Sequence, residues 1–297
     1  MALRCVRQPI ILMGMARSGT TLVADLLYRL GLFIGHNRIA VDQEAKYFVS
    51  VNDMLLKRVH GYWDNPAPIR SFLKQASAVA MTVNCMQEDL RSVRVASYLG
   101  WRRYLLYRSL ETFDQPWGWK DPRNVFTLPL WLRLFPEAKI IYLVRNAIDV
   151  AHSLLSLERT VIARRRLRYE RPLSRLSLRS RLERAGFKGA ARCLDIRGGF
   201  SLWDEYVAQA EEVLAATANV RRVLRYEDFL AAPAVHLEDL AVYCELNGVT
   251  ERKIAEAVAL IDPSRAFAFL SDPALVSFYR EVKANPWMAH YSYSDLA

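Results

Sequence analysis

An apolar run at residues 9–15 leads through Gly14-Met15-Ala16-Arg17-Ser18-Gly19-Thr20-Thr21 into Leu22, Leu26, Leu27 and Leu30, which recur at helical spacing. A buried strand, a small-residue turn and an amphipathic helix in that order restrict the fold more than any other feature of the chain. Glycines at both ends of the turn let backbone N–H groups point inward. The helix N-terminus adds its positive end, so the turn is built to cradle a phosphate. Residues 139–144 (KIIYLV) form a second apolar run, too short for a helix and β-branched, followed by Arg145-Asn146 and the helical pattern Val150, Leu154, Leu155, Leu157. A third run at 220–226 meets Glu227-Asp228, which open another helix, with Pro233 soon after. Helical patterns at 69–82, 93–110, 203–216 and 234–246 separate these strand-to-helix units. Alternation of that kind predicts a parallel sheet covered by helices.

With 297 residues, no internal repeat and no Gly/Ser-rich linker, one domain spanning 1–297 is expected, large enough to bury a sizeable core. The first apolar run is closed by Arg17, far short of the roughly 18 residues that span a bilayer, and neither signal peptide nor anchor is read. Cys5, Cys85, Cys193 and Cys244 are scattered without a C-x-x-C pair. That spacing points away from zinc knuckles and disulfide frameworks, and toward a reducing, cytoplasmic location. The formal net charge is +10, and its distribution says more than its total. Residues 159–197 hold 12 Arg and one Lys against three acidic side chains, so this block carries the whole excess and the rest of the chain is balanced. A uniformly basic surface would point to nucleic acid, whereas one block in a balanced chain points to a local face; no nucleic-acid partner is expected. Within the block Leu173, Leu176, Leu178 and Leu182 interleave with Arg175, Arg179, Arg181 and Arg184. This is the pattern of a mobile basic lid, of a peripheral contact with an acidic membrane surface, or of a plain solvated helix.

The nucleotide-kinase form of the first turn is G-x-x-x-x-G-K-[ST], in which Lys reaches the β/γ-phosphates and Ser/Thr holds magnesium. Thr20 stands where that Lys would be, so cationic help falls to Arg17 inside the turn. The 139–144 run ends in Arg145, where a metal-binding Asp would be expected. Magnesium-dependent triphosphate hydrolysis is thereby disfavoured, and the absence of G-x-G-x-x-G removes the usual dinucleotide reading. The fold class expected is α/β, a P-loop-like parallel sheet flanked by helices on both faces.

Arg17-Ser18-Gly19-Thr20-Thr21 resembles the [KR]-S-G-T-T phosphate loop of the sulfotransferase family, which binds the 5′-phosphosulfate end of 3′-phosphoadenosine 5′-phosphosulfate (PAPS). Residues 140–153 are similar to that family's 3′-phosphate site, where an Arg at a strand end and a Ser eight residues on grip the phosphate. Arg145 and Ser153, about two helical turns apart, match that pattern. The resemblance implies that Arg17, Ser18, Gly19, Thr20, Thr21, Arg145 and Ser153 bind PAPS as donor, that the product is 3′,5′-phosphoadenosine, and that no metal is required. A transferring sulfuryl group carries less charge than a phosphoryl group, so positioned Arg and Lys side chains suffice. Lys120-Asp121-Pro122-Arg123 is similar to the Lys-x-Pro element of tyrosylprotein-type and bacterial members, whose Lys points at the sulfuryl group. Residues 225–230 with Pro233 resemble a recurrent strand-to-helix junction and read as structural.

Sulfuryl transfer to a hydroxyl also needs a base. The His of the K-T-H-L-P-like segment of cytosolic small-molecule members has no counterpart after Lys120. Asp42-Gln43-Glu44-Ala45-Lys46-Tyr47-Phe48 instead resembles the E-x-x-F-F element of heparan-type enzymes and implies Glu44 as base, with His36 and His152 as rivals. By helical geometry His152 points to a different face from Ser153. Leu22 stands where cytosolic members have an adenine-stacking Trp, and their C-terminal R-K-G-x-x-G-D-W-K segment is missing. Both departures place the resemblance with the bacterial or tyrosylprotein- and heparan-like branch. The implied function is a PAPS-dependent sulfotransferase with Glu44, Arg17 and Lys120 as catalytic residues, acting on a small-molecule, lipid or carbohydrate hydroxyl. The alternatives are a P-loop nucleotide or small-molecule kinase and a non-catalytic nucleotide-binding protein.

Overall fold

The computed structural model describes residues 2–39, 42–170, 187 and 189–296. These fall into two compact units, Met1–Arg145 with Tyr206–Ala266, and Asn146–Glu205 with Phe267–Ala297. The first unit contains β1 (Ile10–Met13), the antiparallel two-residue pair β2 (Arg38–Ile39) and β3 (Glu44–Ala45), then β4 (Gly118–Lys120), β5 (Lys139–Val144) and β6 (Arg221–Arg225). Four of these form a parallel sheet in the order β4-β1-β5-β6. The three strands expected from apolar runs are present. β4 is the addition, because Gly-Trp-Lys shows no apolar run to betray it.

The strands read as continuous apolar runs because both faces are covered. Ile10 and Leu12, Ile141 and Leu143, and Leu224 share one core with Val23, Leu26, Leu27 and Leu30 of α1 (Thr20–Arg29) and with Leu237 and Leu240 of the helix Pro233–Tyr243. The alternate residues Ile11, Met13, Ile140, Tyr142 and Val144 are equally buried. On the β4 side, α2 (Lys46–Arg58) lays Phe48 flat on Trp119 at 4.0 Å between ring centroids, and Trp119 meets Trp131 edge-on at 5.1 Å. Two helical stretches expected to be continuous are broken. The 69–82 pattern divides into the helices Ala67–Leu73 and Ala76–Arg91, and the 93–110 pattern divides at Gly100, whose φ of 77° no helix accommodates.

Asn52 of α2 is the polar centre of this aromatic layer. Its Nδ2 donates to Asp121 Oδ2 and Asn124 Oδ1, both at 2.9 Å, while its Oδ1 accepts from Thr127 Oγ1 at 2.9 Å and Trp131 Nε1 at 2.8 Å. All four hydrogen-bonding positions of the amide are used, and Asn52 is completely buried. Asn52→Leu, of similar volume, strands these partners without water and is expected to destabilise the fold by about 2–4 kcal/mol, read as a lowered urea midpoint at unchanged slope.

In the second unit the helix Ala147–Glu170 is opened by Asn146, whose Oδ1 accepts from the N–H groups of Ile148 and Asp149. Asp149 in turn accepts from Phe269 N–H at 2.9 Å, and Glu158 from Ala190 N–H at 3.1 Å. The first part of the basic block continues this helix. Leu173–Arg184, on which the lid pattern rests, lies outside the described residues. Farther on, Arg192 pairs with Glu205 and Arg197 with Glu281. Among the described residues no helix is long and apolar enough to cross a membrane.

Candidate functional site

In a parallel sheet the carboxyl ends of all strands point one way, and a crevice opens where successive connections leave on opposite sides. In this sheet that point is the end of β1, flanked by β4 and β5. The turn that follows is constrained by two glycines. Gly14 has φ 149°, and a Cβ there would sit 2.4 Å from the Leu143 carbonyl oxygen. Gly19 has φ 93°, and a Cβ there would sit 2.3 Å from the Tyr226 ring. Between them Arg17 holds the left-handed conformation at φ 73°, an uncommon state for a residue with a side chain. Ser18 is buried and donates from Oγ to Met15 O at 2.6 Å, closing the turn on itself. No side chain caps the start of α1 at Gly19, so the positive helix end faces the crevice.

Arginines converge on this turn. Arg145, one residue beyond β5, donates from Nη1 to Arg17 O at 3.3 Å and from Nη2 to Arg265 O at 2.8 Å, and its guanidinium lies 4.8 Å above the Tyr226 ring. Burial together with the like charges of Arg145 and Arg265 lowers the Arg17 pKa, with Asp42 acting in the opposite sense. Tyr226, directly after β6, thus walls the turn and stacks the arginine. In the sequence its segment reads as structural. Its position at a strand end, matching that of Arg145, was the available signal. Arg265 had none, since only tertiary packing brings it to the strand ends.

Glu44 and Lys120 meet on the other side of β1. Lys120 ends β4 and is 3% exposed; its Nζ donates to Glu44 Oε1 at 2.8 Å and to Asp42 O at 2.9 Å. Glu44 lies on β3 and is 8% exposed, so the solvated loop position that its sequence context allows is not the one it takes. Burial raises the Glu44 pKa despite the pull of Lys120, and the neighbouring Asp121 raises it further. Thr21 Oγ1, which donates to Asp42 O at 3.3 Å, ties the same segment to the start of α1. Asp121 is anchored by Asn52 and by Arg123, whose Nη1 and backbone N–H both donate to it. The turn after β4 is therefore rigid from its core side. His36 and His152 are exposed, and Ser153 is half-buried near the end of the second turn of the helix Ala147–Glu170, in the second unit.

A parallel sheet whose central strand runs into a glycine-bounded turn and the open end of a helix, with arginines gathered at the strand ends, defines the phosphate-loop class of α/β proteins. Residues 9–251 match the model of the sulfotransferase family, and the chain belongs to that family. Comparison of the sequence with curated proteins returns no match. Among solved structures, the chain is similar to a sulfotransferase of Mycobacterium tuberculosis H37Rv, with 16% identity over 86% of this chain and 72% of that one and a TM-score of 0.42. It is similar to the sulfotransferase domain of the Synechococcus PCC 7002 olefin synthase, with 15% identity over 100% of both chains and a TM-score of 0.47. A third similar structure is the sulfotransferase domain of the curacin biosynthetic pathway, with 16% identity over 99% of this chain and 100% of that one and a TM-score of 0.47.

Proposed function

We propose that this sulfotransferase moves a sulfuryl group from PAPS to the hydroxyl of an acceptor, with Glu44 as base and Lys120 and Arg17 as the charge-stabilising cations. The observation that carries this reading is the gathering of Arg17, Arg145 and Arg265 at the uncapped start of α1, where burial first, and then the like charges of its two neighbours, lower the pKa of Arg17. A doubly phosphorylated nucleotide offsets those like charges, and the uncapped start of α1 after the Gly14–Gly19 turn offers its 5′-phosphate the helix's N-terminal N–H groups. The acceptor oxygen attacks sulfur as the bond from sulfur to the 5′-phosphate oxygen breaks. The hydroxyl proton passes to the Glu44 carboxylate, the electron pair of the broken bond stays with 3′,5′-phosphoadenosine, and the sulfate ester is released. A carboxyl whose pKa is raised by burial takes that proton more readily than an exposed one, and a paired Lys120 holds it in place until the acceptor arrives.

Titration calorimetry tests the reading. The chain is expected to bind 3′,5′-phosphoadenosine roughly ten- to a hundredfold more tightly than adenosine 5′-phosphate or ATP, because one charge-assisted arginine–phosphate contact is worth about 1.5–3 kcal/mol. Equal affinity for the three nucleotides, or a magnesium requirement for binding, overturns it. The acceptor is then identified by incubating the protein with labelled PAPS and extract fractions and determining the mass of the sulfated product.

A further inference from the structure

We propose that the helix Trp101–Tyr107 is a docking surface for an anionic lipid membrane, with Trp101, Leu105 and Leu106 entering the headgroup boundary and Arg102 and Arg108 meeting lipid phosphates. The inference rests on this surface alone and is independent of the reaction assigned to the chain.

The helix buries none of its residues. Trp101 is 65% exposed, Leu105 59% and Leu106 73%. Single exposed apolar residues are ordinary, but three within six residues of one short helix form a patch that asks for a partner. The patch is held in place rather than frayed. Gly100, at φ 77°, turns the chain out of the preceding helix, whose Tyr98 hydroxyl donates to Gly118 O at 2.7 Å. Arg103 lies 4.6 Å above the Phe33 ring, and Tyr107 donates to Asp114 at 2.7 Å. Three strongly solvated apolar side chains on a helix fixed from both ends are a presented surface.

Charge selects the partner. Residues 90–110 contain five arginines and no acidic side chain. Arg94 is neutralised by Asp89, Arg91 by Glu111, and Arg103 is spent on Phe33. Among the described residues no ion pair engages Arg102 or Arg108. Two uncompensated guanidinium groups beside a Trp and two leucines match the layering of a membrane surface, where phosphates lie above an apolar interior and aromatic rings favour the boundary. The surface adjoins the segment that carries Glu44. His36 N–H donates to Tyr98 O at 2.7 Å, Lys46 N–H donates to Asn37 O at 3.0 Å, and Ile39 pairs with Glu44 across β2 and β3.

The test is flotation of the full chain with vesicles of phosphatidylcholine, alone or mixed with phosphatidylglycerol. Binding is expected to the mixed vesicles only. It should weaken tenfold or more both in Trp101→Ser/Leu105→Ser/Leu106→Ser and in Arg102→Glu/Arg108→Glu, since each basic residue near an anionic surface contributes on the order of 1 kcal/mol. Only the wild type, and not Trp101→Phe, should show the blue-shifted component of tryptophan fluorescence when vesicles are added. The substituted side chains are exposed, so melting temperatures should stay within about 2 °C of the wild type and keep the comparison valid. Flotation of the triple variant equal to wild type assigns any membrane contact to another segment, such as 159–197, and overturns the proposal. So does failure of the wild type to bind at low salt. Self-association of the wild type that the triple variant abolishes, without vesicle binding, shows a second copy covering the patch and overturns it as well.

Discussion

Glu44→Gln is expected to lower kcat by roughly 10²–10⁴-fold while leaving affinity for 3′,5′-phosphoadenosine nearly unchanged, the signature of a lost general base. The amide keeps the shape of the carboxyl and can still accept from Lys120, so the loss isolates proton transfer from packing. A second readout is the pH profile. Burial holds the Glu44 carboxyl above its ordinary value, so the acid limb of kcat/KM should lie above that of an exposed glutamate and disappear in the variant. The sign for stability follows from the same shift. A carboxyl whose folded pKa is raised binds its proton more tightly folded than unfolded. Its contribution to stability is full below the ordinary glutamate pKa and is lost as pH rises through the raised one. Wild-type turnover in Glu44→Gln would remove Glu44 from the mechanism and return attention to His36.

Lys120→Met is expected to cost about 3–5 kcal/mol in folding free energy at neutral pH, because it leaves the buried Glu44 without its cation. The same change removes the main influence that lowers the Glu44 pKa, so the acid limb of any residual activity should move to higher pH. Turnover is expected to fall as well, since the cation that the proposed mechanism sets beside the sulfuryl group is gone. The double variant Glu44→Gln/Lys120→Met should then be more stable than Lys120→Met alone, because the unpaired carboxylate is gone. Denaturant unfolding of the four proteins in that cycle gives the coupling directly. A coupling near zero would mean that the 2.8 Å contact carries no net interaction.

The cradle was legible in the sequence because its requirements are local. Two glycines, a preceding apolar run and a following helical pattern sit within about two dozen residues, and the φ values at Gly14 and Gly19 are the reason those positions are glycine. Arg145 was legible for the same reason, as the residue that ends an apolar run. Glu44 was placed by motif but not by environment. Its buried partner is Lys120, which lies 76 positions later on a strand too short to announce itself. Asn52 looked like an ordinary polar residue on a helix, and only the packed aromatic layer around it shows why its amide is needed. Tyr226 and Arg265 enter through the order of the sheet, which places β6 beside β5, and no local pattern encodes that order.

That order also sets a timetable. Tyr226, the ring against which Gly19 packs, is synthesised about 200 residues after the Gly14–Gly19 turn, an interval of about 10–40 s at ordinary elongation rates. Until then β5 lacks its outer neighbour β6, and Arg145 lacks the ring on which its guanidinium stacks. The nascent cradle therefore waits, open and cationic, for Tyr226 and then for Arg265, and a chain released before them has the glycines and the helix start but not the residues that close around Arg145.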